Sequence, residues 1–324
     1  MKHWILGHGV LALSLALPGM PVAAQGFPDH AVTIVVPYTP GGPTDSATRI
    51  VAQQFSEQTG QPFVISNRPG AATTIGADAV KRAANDGYTW LLGTTTTFSL
   101  NPLTLPKLDY GSKDFEPIGP IAKVPYAVTV SSQMPVKNIQ EFRDWLKTKP
   151  EGFSYGTVGR GSPPHIIGEI LGKTLDAKTL AVHYKGSSPV QTDLVAGRIN
   201  LSIDPLNTSL PMHKAEKVRI IAVIDDQRWP ELPDVPTLAE QGINEVEGYS
   251  WAGLFAPAGT PKEAVDKAST LLQKITATDE VGKQLRNAGM VPMSMSHDEF
   301  KQQMQADAAW WKQAVEENDI QVGD

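Results

Sequence analysis

Cysteine is absent from the 324 residues, which excludes a disulfide scaffold and a thiolate metal site. Positive charge is scarce. The 28 Lys and Arg stand against 34 Asp and Glu, a net charge of -6, so no broad nucleic-acid-binding face is expected. No P-loop, GxGxxG fingerprint or HExxH motif occurs, and the seven histidines show no metal-ligand spacing. After the first two dozen residues no apolar run approaches the roughly 20 residues that a membrane span needs. What the chain does hold is 41% hydrophobic residues, enough to exclude disorder, with 28 glycines and 26 prolines that punctuate short elements. That pattern argues for many tight turns and against a helical bundle. The length suggests about two domains.

The first residues read as an address. Met1, Lys2 and His3 form a basic start, Trp4 to Leu17 an apolar run, and Val22-Ala23-Ala24 the small residues of a cleavage site. The expectation is a secretory signal peptide over residues 1–24, cut after Ala24. An uncleaved anchor is the alternative, but Gly7-His8-Gly9 interrupts the run. Loss of Lys2 leaves 27 Lys and Arg against 34 Asp and Glu, or -7. An exported protein without stray thiols suits an oxidising compartment.

The remainder alternates strand-like and helix-like segments. Ala31–Val36, Phe63–Ile65 and Tyr88–Gly93 read as strands, with helices from Ser46 and over Ile75–Ala84 between them. This βαβαβ order predicts an α/β unit with a largely parallel sheet. The pattern restarts at Tyr126–Val130 and runs through Phe153–Gly156, Ala181–Tyr184, Leu201–Asp204 and Ile220–Ile224. A Pro-rich stretch over 229–236 marks a boundary, Trp251–Pro257 reads as the last strand, and helices over 261–277 and 297–317 close the chain. Helices alone cannot bury their apolar faces, so this tail is expected to pack back on the first unit.

Open α/β sheets bind ligands at the carboxyl ends of their strands. Four loops rich in Gly, Ser and Thr lie at such ends: Gly41-Gly42, Thr94–Thr97, Gly159–Ser162 and Lys185–Ser188. Three of them run into helix starts, which present free N–H groups and hold anions. Together they point to a carboxylate or similar anion held by backbone amides and hydroxyls. Asp45 also reads as a helix cap. Asp204 ends a buried strand and could accept from a ligand or tie down a loop. Arg160 could pair with a carboxylate. Gly248-Tyr249-Ser250-Trp251-Ala252 comes near a nucleophile elbow, but its serine precedes a strand instead of following one. Ser162 with His165 could serve a secreted serine hydrolase, yet spacing alone does not make a triad.

Val32–Pro37 running into Pro40–Asp45, Asn67-Arg68-Pro69-Gly70-Ala71, Asp86-Gly87-Tyr88, His183–Gly186, Leu232–Thr237 and Ala256–Pro261 occur in this order. This ordered set resembles the Bug (TctC-type) solute-binding proteins of tripartite tricarboxylate transporters, from about residue 27 to 320. The resemblance implies a two-domain, type II-like periplasmic binding protein with α/β architecture. Each domain would be a mixed sheet flanked by helices, with the ligand cleft between them. The domains would be 25–125 plus 250–324, and 126–249. It implies no catalytic activity, no cofactor and no metal. It implies a monomer that passes a small carboxylate to integral membrane subunits of the transporter. The ligand could be an aromatic dicarboxylate such as terephthalate, citrate, or an aliphatic diacid. Carried over by position, the ligand contacts fall on Tyr38, Gly42, Thr44, Asp45, Thr94 and Thr95 in the first domain. In the second they fall on Gly161, Ser162, His165, Tyr184 and Asp204. The chain departs from the family at Tyr38-Thr39, at Gly70–Thr73 and at Pro163, where proline removes a backbone donor.

Overall fold

The computed structural model describes residues 26–246 and 248–321. The expected signal peptide lies outside them. In chain order the elements begin with β1 (Val32–Val36), α1 (Pro43–Thr59), β2 (Phe63–Asn67), α2 (Thr74–Lys81), β3 (Thr89–Thr94) and α3 (Asn101–Thr104). There follow β4 (Phe115–Val124), β5 (Tyr126–Ser131), α4 (Ile139–Leu146), β6 (Phe153–Thr157), α5 (Pro163–Thr174), β7 (Thr179–His183), α6 (Ser187–Val195), β8 (Leu201–Pro205) and α7 (Leu206–Lys214). The chain ends with β9 (Val218–Ile224), β10 (Ser250–Pro257), α8 (Lys262–Thr276), α9 (Asp279–Asn287), β11 (Val291–Pro292) and α10 (His297–Glu317).

The fold is mixed α/β, with two separate sheets flanked by helices. The first has the order β11-β4-β10-β3-β1-β2. β1 runs parallel to β2 and β3, whereas β10 lies antiparallel to β3 and β4. The second has the order β7-β6-β8-β5-β9, with β6 parallel to both neighbours and β5 antiparallel to both of its own. The largely parallel sheet expected from the βαβαβ order is therefore corrected to a mixed one. β4, which the sequence reading passed over, supplies part of the antiparallel half.

Local chemistry explains the elements. β1 is a β-branched strand flanked on both sides in the sheet and is buried along most of its length, as such strands are. α1 starts on Pro43, whose missing N–H costs nothing at a first helical position. It turns Ala47, Val51 and Phe55 into the core and stops at Gly60, whose left-handed φ of 71° closes the cap onto the Ser56 carbonyl. α10 begins with a capping box in which Ser296 and Glu299 satisfy each other's N–H groups.

One expectation about the tail is half right. α8 and α9 bury Leu272, Ile275, Val281 and Leu285 against the first sheet. α10 does not stay there. Its first half sets Phe300 among Trp251 and Phe255 of the first unit. Its second half sets Trp311 and Ala314 into the core of the second, beside Ile166 and Ile203.

Candidate functional site

The four loops fall at the strand ends that the sequence indicated. After β1, Gly42 takes an extended backbone and leads into α1. Asp45, in the first turn, accepts from the Gly41 N–H at 2.9 Å, from Arg49 Nε at 2.8 Å and from Asn67 Nδ2 at 2.8 Å. Burial works to raise its carboxyl, but these donors outweigh burial and hold it below the usual range. Asp45 thus braces the loop beneath Gly42 and Thr44. A free ligand acceptor is not what the structure gives there, nor is a helix cap of the kind expected, since Gly42 occupies the cap position.

At the end of β3 the threonine run folds on itself. Thr94 Oγ1 meets the Tyr38 hydroxyl at 2.8 Å, and Thr95 Oγ1 accepts from the Trp251 N–H at 3.0 Å. Thr97 Oγ1 accepts from the Thr94 N–H and meets Thr73 Oγ1 at 3.0 Å. These bonds pin a wide π-type turn over Thr96–Leu100, an element often found at functional sites. Asn101 then donates to the Ala72 carbonyl at 2.7 Å and to the Tyr110 hydroxyl at 2.8 Å.

The loop after β6 is closed in the same way. Gly161 N–H donates to His165 Nδ1 at 3.1 Å, and Ser162 Oγ donates to the Gly159 carbonyl at 2.6 Å. His165 N–H donates to the Ser162 carbonyl at 2.9 Å. Burial first, then His183 and Arg160, push His165 down to about 4. It is therefore neutral at neutral pH, with Nδ1 an acceptor. Ser162 and His165 make no side-chain hydrogen bond to one another. The nucleophile–base pair that a hydrolase needs is not formed, because each partner is turned to loop backbone. In this loop the N–H groups of Gly161, Ser162 and His165 and the Ser162 hydroxyl are turned to acceptors of the loop itself.

Asp204, at the end of β8, is fully buried. It accepts from Ser187 Oγ and, at 3.0 Å, from Gln191 Nε2. Burial pushes its carboxyl up to about 6 against the pull of these two donors. Its bonds tie β8 to the start of α6, the loop-tying option of the two that the sequence left open. Tyr184 turns its hydroxyl to Asp193 at 2.8 Å. Burial, then that carboxylate, pushes the phenol up to about 12.

Between the two sheets three of these loops, those after β3, β6 and β7, line a cavity of about 320 Å³. Thr96, Leu100 and Asn101 wall it from the first unit, and Arg160, Pro163 and Ser187 from the second. Tyr126 lies where the chain passes from one sheet to the other and lines it too. Of the ligand contacts carried over by position, Gly161 and Ser162 reach this surface, as does Arg160, which the sequence offered as a carboxylate partner. Tyr38, Thr94 and Asp204 stand behind it and hold Thr96 and Ser187, while Gly42, Thr44, Thr95, His165 and Tyr184 are not part of its lining. Thr96 belongs to the threonine loop that the sequence pointed to, whereas sequence reasoning missed Leu100 and Tyr126 as wall residues. Nothing in the sequence marked these two. A larger hollow of about 560 Å³ lies between α5 and α10, edged by Lys173, Gln313 and Glu317. None of the four loops lines it, so the smaller cavity is the candidate site. Among the described residues no group of three or more His, Asp or Glu is placed to hold a metal ion.

Two mixed α/β units facing each other across a loop-lined cavity define the architecture of a two-lobed solute-binding protein. The model of the tripartite tricarboxylate transporter family receptor, TctC, matches residues 47–320, and the chain belongs to this family. It is 34% identical to a UPF0065 protein of Agrobacterium vitis over 88% of this chain and 82% of that one. It is 26% identical to BugT of Bordetella pertussis over 95% and 96%. Among solved structures, an R. palustris protein with adipate superposes with a TM-score of 0.83 at 34% identity, covering 92% of this chain and all of that one. MatC from Rhodopseudomonas palustris with bound malate gives a TM-score of 0.76 at 29% identity, over 89% and 100%. The periplasmic binding protein BugD gives 0.77 at 30%, over 92% and 100%.

Proposed function

We propose that this chain is a periplasmic solute-binding protein that captures a small carboxylate between two lobes and releases it unchanged to the membrane subunits of a tripartite transporter. The lobes are residues 25–125 with 250–324, and 126–249, each built around one of the sheets. The observation that carries the reading is the cavity walled jointly by Thr96 and Asn101 on one side and by Arg160 and Ser187 on the other. Its donors fit carboxylate oxygens: the Thr96 hydroxyl, the first N–H groups of α6, which have no partner within their helix, and the Arg160 guanidinium. The adipate and malate of two similar structures support the ligand class. Export rests on the leader with its cut after Ala24. Among the described residues no helix is long and apolar enough to cross a membrane.

The test is a thermal-shift screen of the mature chain against adipate, malate, citrate and terephthalate, with calorimetry on the best. An acid present at a hundredfold its Kd stabilises by about 2.7 kcal/mol, which raises Tm by several degrees. A panel in which no acid shifts Tm overturns the proposal.

A further inference from the structure

A second cavity, of about 390 Å³, lies between the first half of α10 and the start of β4. We infer that it is a binding site for an aromatic carboxylate, distinct from the cleft and independent of what the cleft binds. Its floor is made by Phe98, Phe115 and Phe255, all buried. Phe98 meets Phe115 edge-to-face at 5.4 Å and tilts on Phe255 at 4.4 Å. α10 supplies one side with Lys301, Met304, Gln305 and Ala308, a spacing that sets four side chains on one helix face. Met304 packs half-buried against the same rings, as thioethers do on aromatic edges. A planar ring seated here would add to this stack, whose edges and faces attract one another. Phe98 comes from the π-type turn that gives Thr96 and Leu100 to the cleft, yet the two linings share no residue.

The rim supplies the charge. Lys113, in the turn before β4, and Lys301, on α10, are both exposed and line the cavity from two sides. Neither forms an ion pair among the described residues. Asp114, next to Lys113, is held by Lys81 at 3.2 Å. Glu116 is the one acid of the lining, and Ser112 and Gln305 add neutral polar groups. Two ammonium groups against one carboxylate leave an excess of positive charge here, in a chain whose net charge is -6. An apolar floor with a few polar groups around it is the ordinary form of a small-ligand site. The floor takes a ring and the rim an anion, so the molecule that matches both is an aromatic ring bearing a carboxylate. The cleft differs, since Tyr126 is the one aromatic residue of its lining.

The probe is 2-naphthoate, titrated by calorimetry into the mature chain at neutral pH. Its controls are 2-naphthamide, the uncharged match, and decahydro-2-naphthoate, the saturated one. 2-Naphthoate should bind more tightly than either by about threefold or more. Lys113→Gln with Lys301→Gln alters two exposed side chains. It should weaken 2-naphthoate by about threefold or more and leave 2-naphthamide unchanged. Ala308→Leu fills the cavity with a good helix former and should weaken both by about tenfold or more, with Tm near that of the parent. The tightest acid of the thermal-shift screen, at saturation, should not displace 2-naphthoate. Displacement by that acid, binding that neither variant alters, or no binding at all overturns the inference. Equal binding of the amide overturns the carboxylate, and equal binding of the saturated acid overturns the aromatic ring. A chain that dimerises, and that Ala308→Leu makes monomeric, has a second copy in this cavity, and the inference falls. If the screen finds no acid, the cleft reading falls alone and the two variants still decide this one.

Discussion

Asp204 shows how a single buried carboxylate sets both geometry and pH response. It is fully enclosed, with only Ser187 and Gln191 as donors, and burial without a cation favours the protonated form. The folded protein therefore holds this proton more tightly than the unfolded chain, whose carboxyl titrates near about 3.9. Folding takes up a proton between about pH 4 and 6, so stability falls as pH rises through that window. The rise from an ordinary carboxyl to about 6 corresponds to on the order of 2–3 kcal/mol. Asp204→Asn removes it. Urea denaturation of parent and variant should show the variant gaining on the parent by that amount between pH 4 and pH 7. A difference that stays flat with pH would mean that Asp204 is ionised throughout in the folded state. Asp45 works in the opposite sense, since its donors hold it low, but both proteins share it and it cancels in the difference.

Among the elements, those whose stability is written locally were the ones legible in the sequence. α10 was read with its observed ends because Ser296 and Glu299 box its start. α4 carries equally local signals, since Asn138 caps it and Phe142 and Leu146 share a buried face. β4 was not read, because Pro117, Gly119 and Pro120 break the pattern of a strand. Register shifts in its pairing with β10 absorb them. α7 was hidden by Pro211 within it, and α9 by its charge-rich surface. The site follows the same rule. Strand ends and glycine-rich loops could be read, but the partner of each loop donor could not, since His165 meets Gly161 only once α5 has folded. The destination of α10 was equally hidden, because its apolar stripe fits either core. In the structure it joins them: Asp307 accepts from Ser99 at 2.7 Å and Trp251 Nε1 at 3.0 Å of the first unit, while Trp311, one turn on in the same helix and bonded to Asp307 at 3.2 Å, packs into the second core. Trp311→Ala, at a site with no exposure, should cost about 3–5 kcal/mol. Because the helix belongs to both cores, parent and variant should each unfold in urea in one transition, with fluorescence and circular dichroism superimposed. Two separate transitions in the parent would show that the cores are uncoupled.

For the molecule as a whole, the question is how two sheets joined by so little chain can move together on a ligand. The first passage between them is Pro125 alone, between β4 and β5. The second ends at Ser250, which pairs with Val124, so the two passages lie side by side. Lys123 sits at this point, ion-paired to Asp225 and placed 5.1 Å from the Tyr249 ring centre. For the capture proposed above, these adjacent crossing strands are the candidate hinge, of short reach. α10 is anchored in both cores, so any such closure would have to carry it along. The cavity opens onto the crossing strands through Tyr126, so a ligand that touches Thr96 and Ser187 at once gains contacts only when the lobes are near. Such a ligand shifts the population toward the closed form by its extra affinity for it. Small-angle scattering should then show the radius of gyration falling when the tightest acid of the screen is added. It should stay unchanged with a monocarboxylate too short to reach both walls. Tight binding with no change in the scattering curve would mean that the lobes are already locked at this spacing, with α10 as the lock.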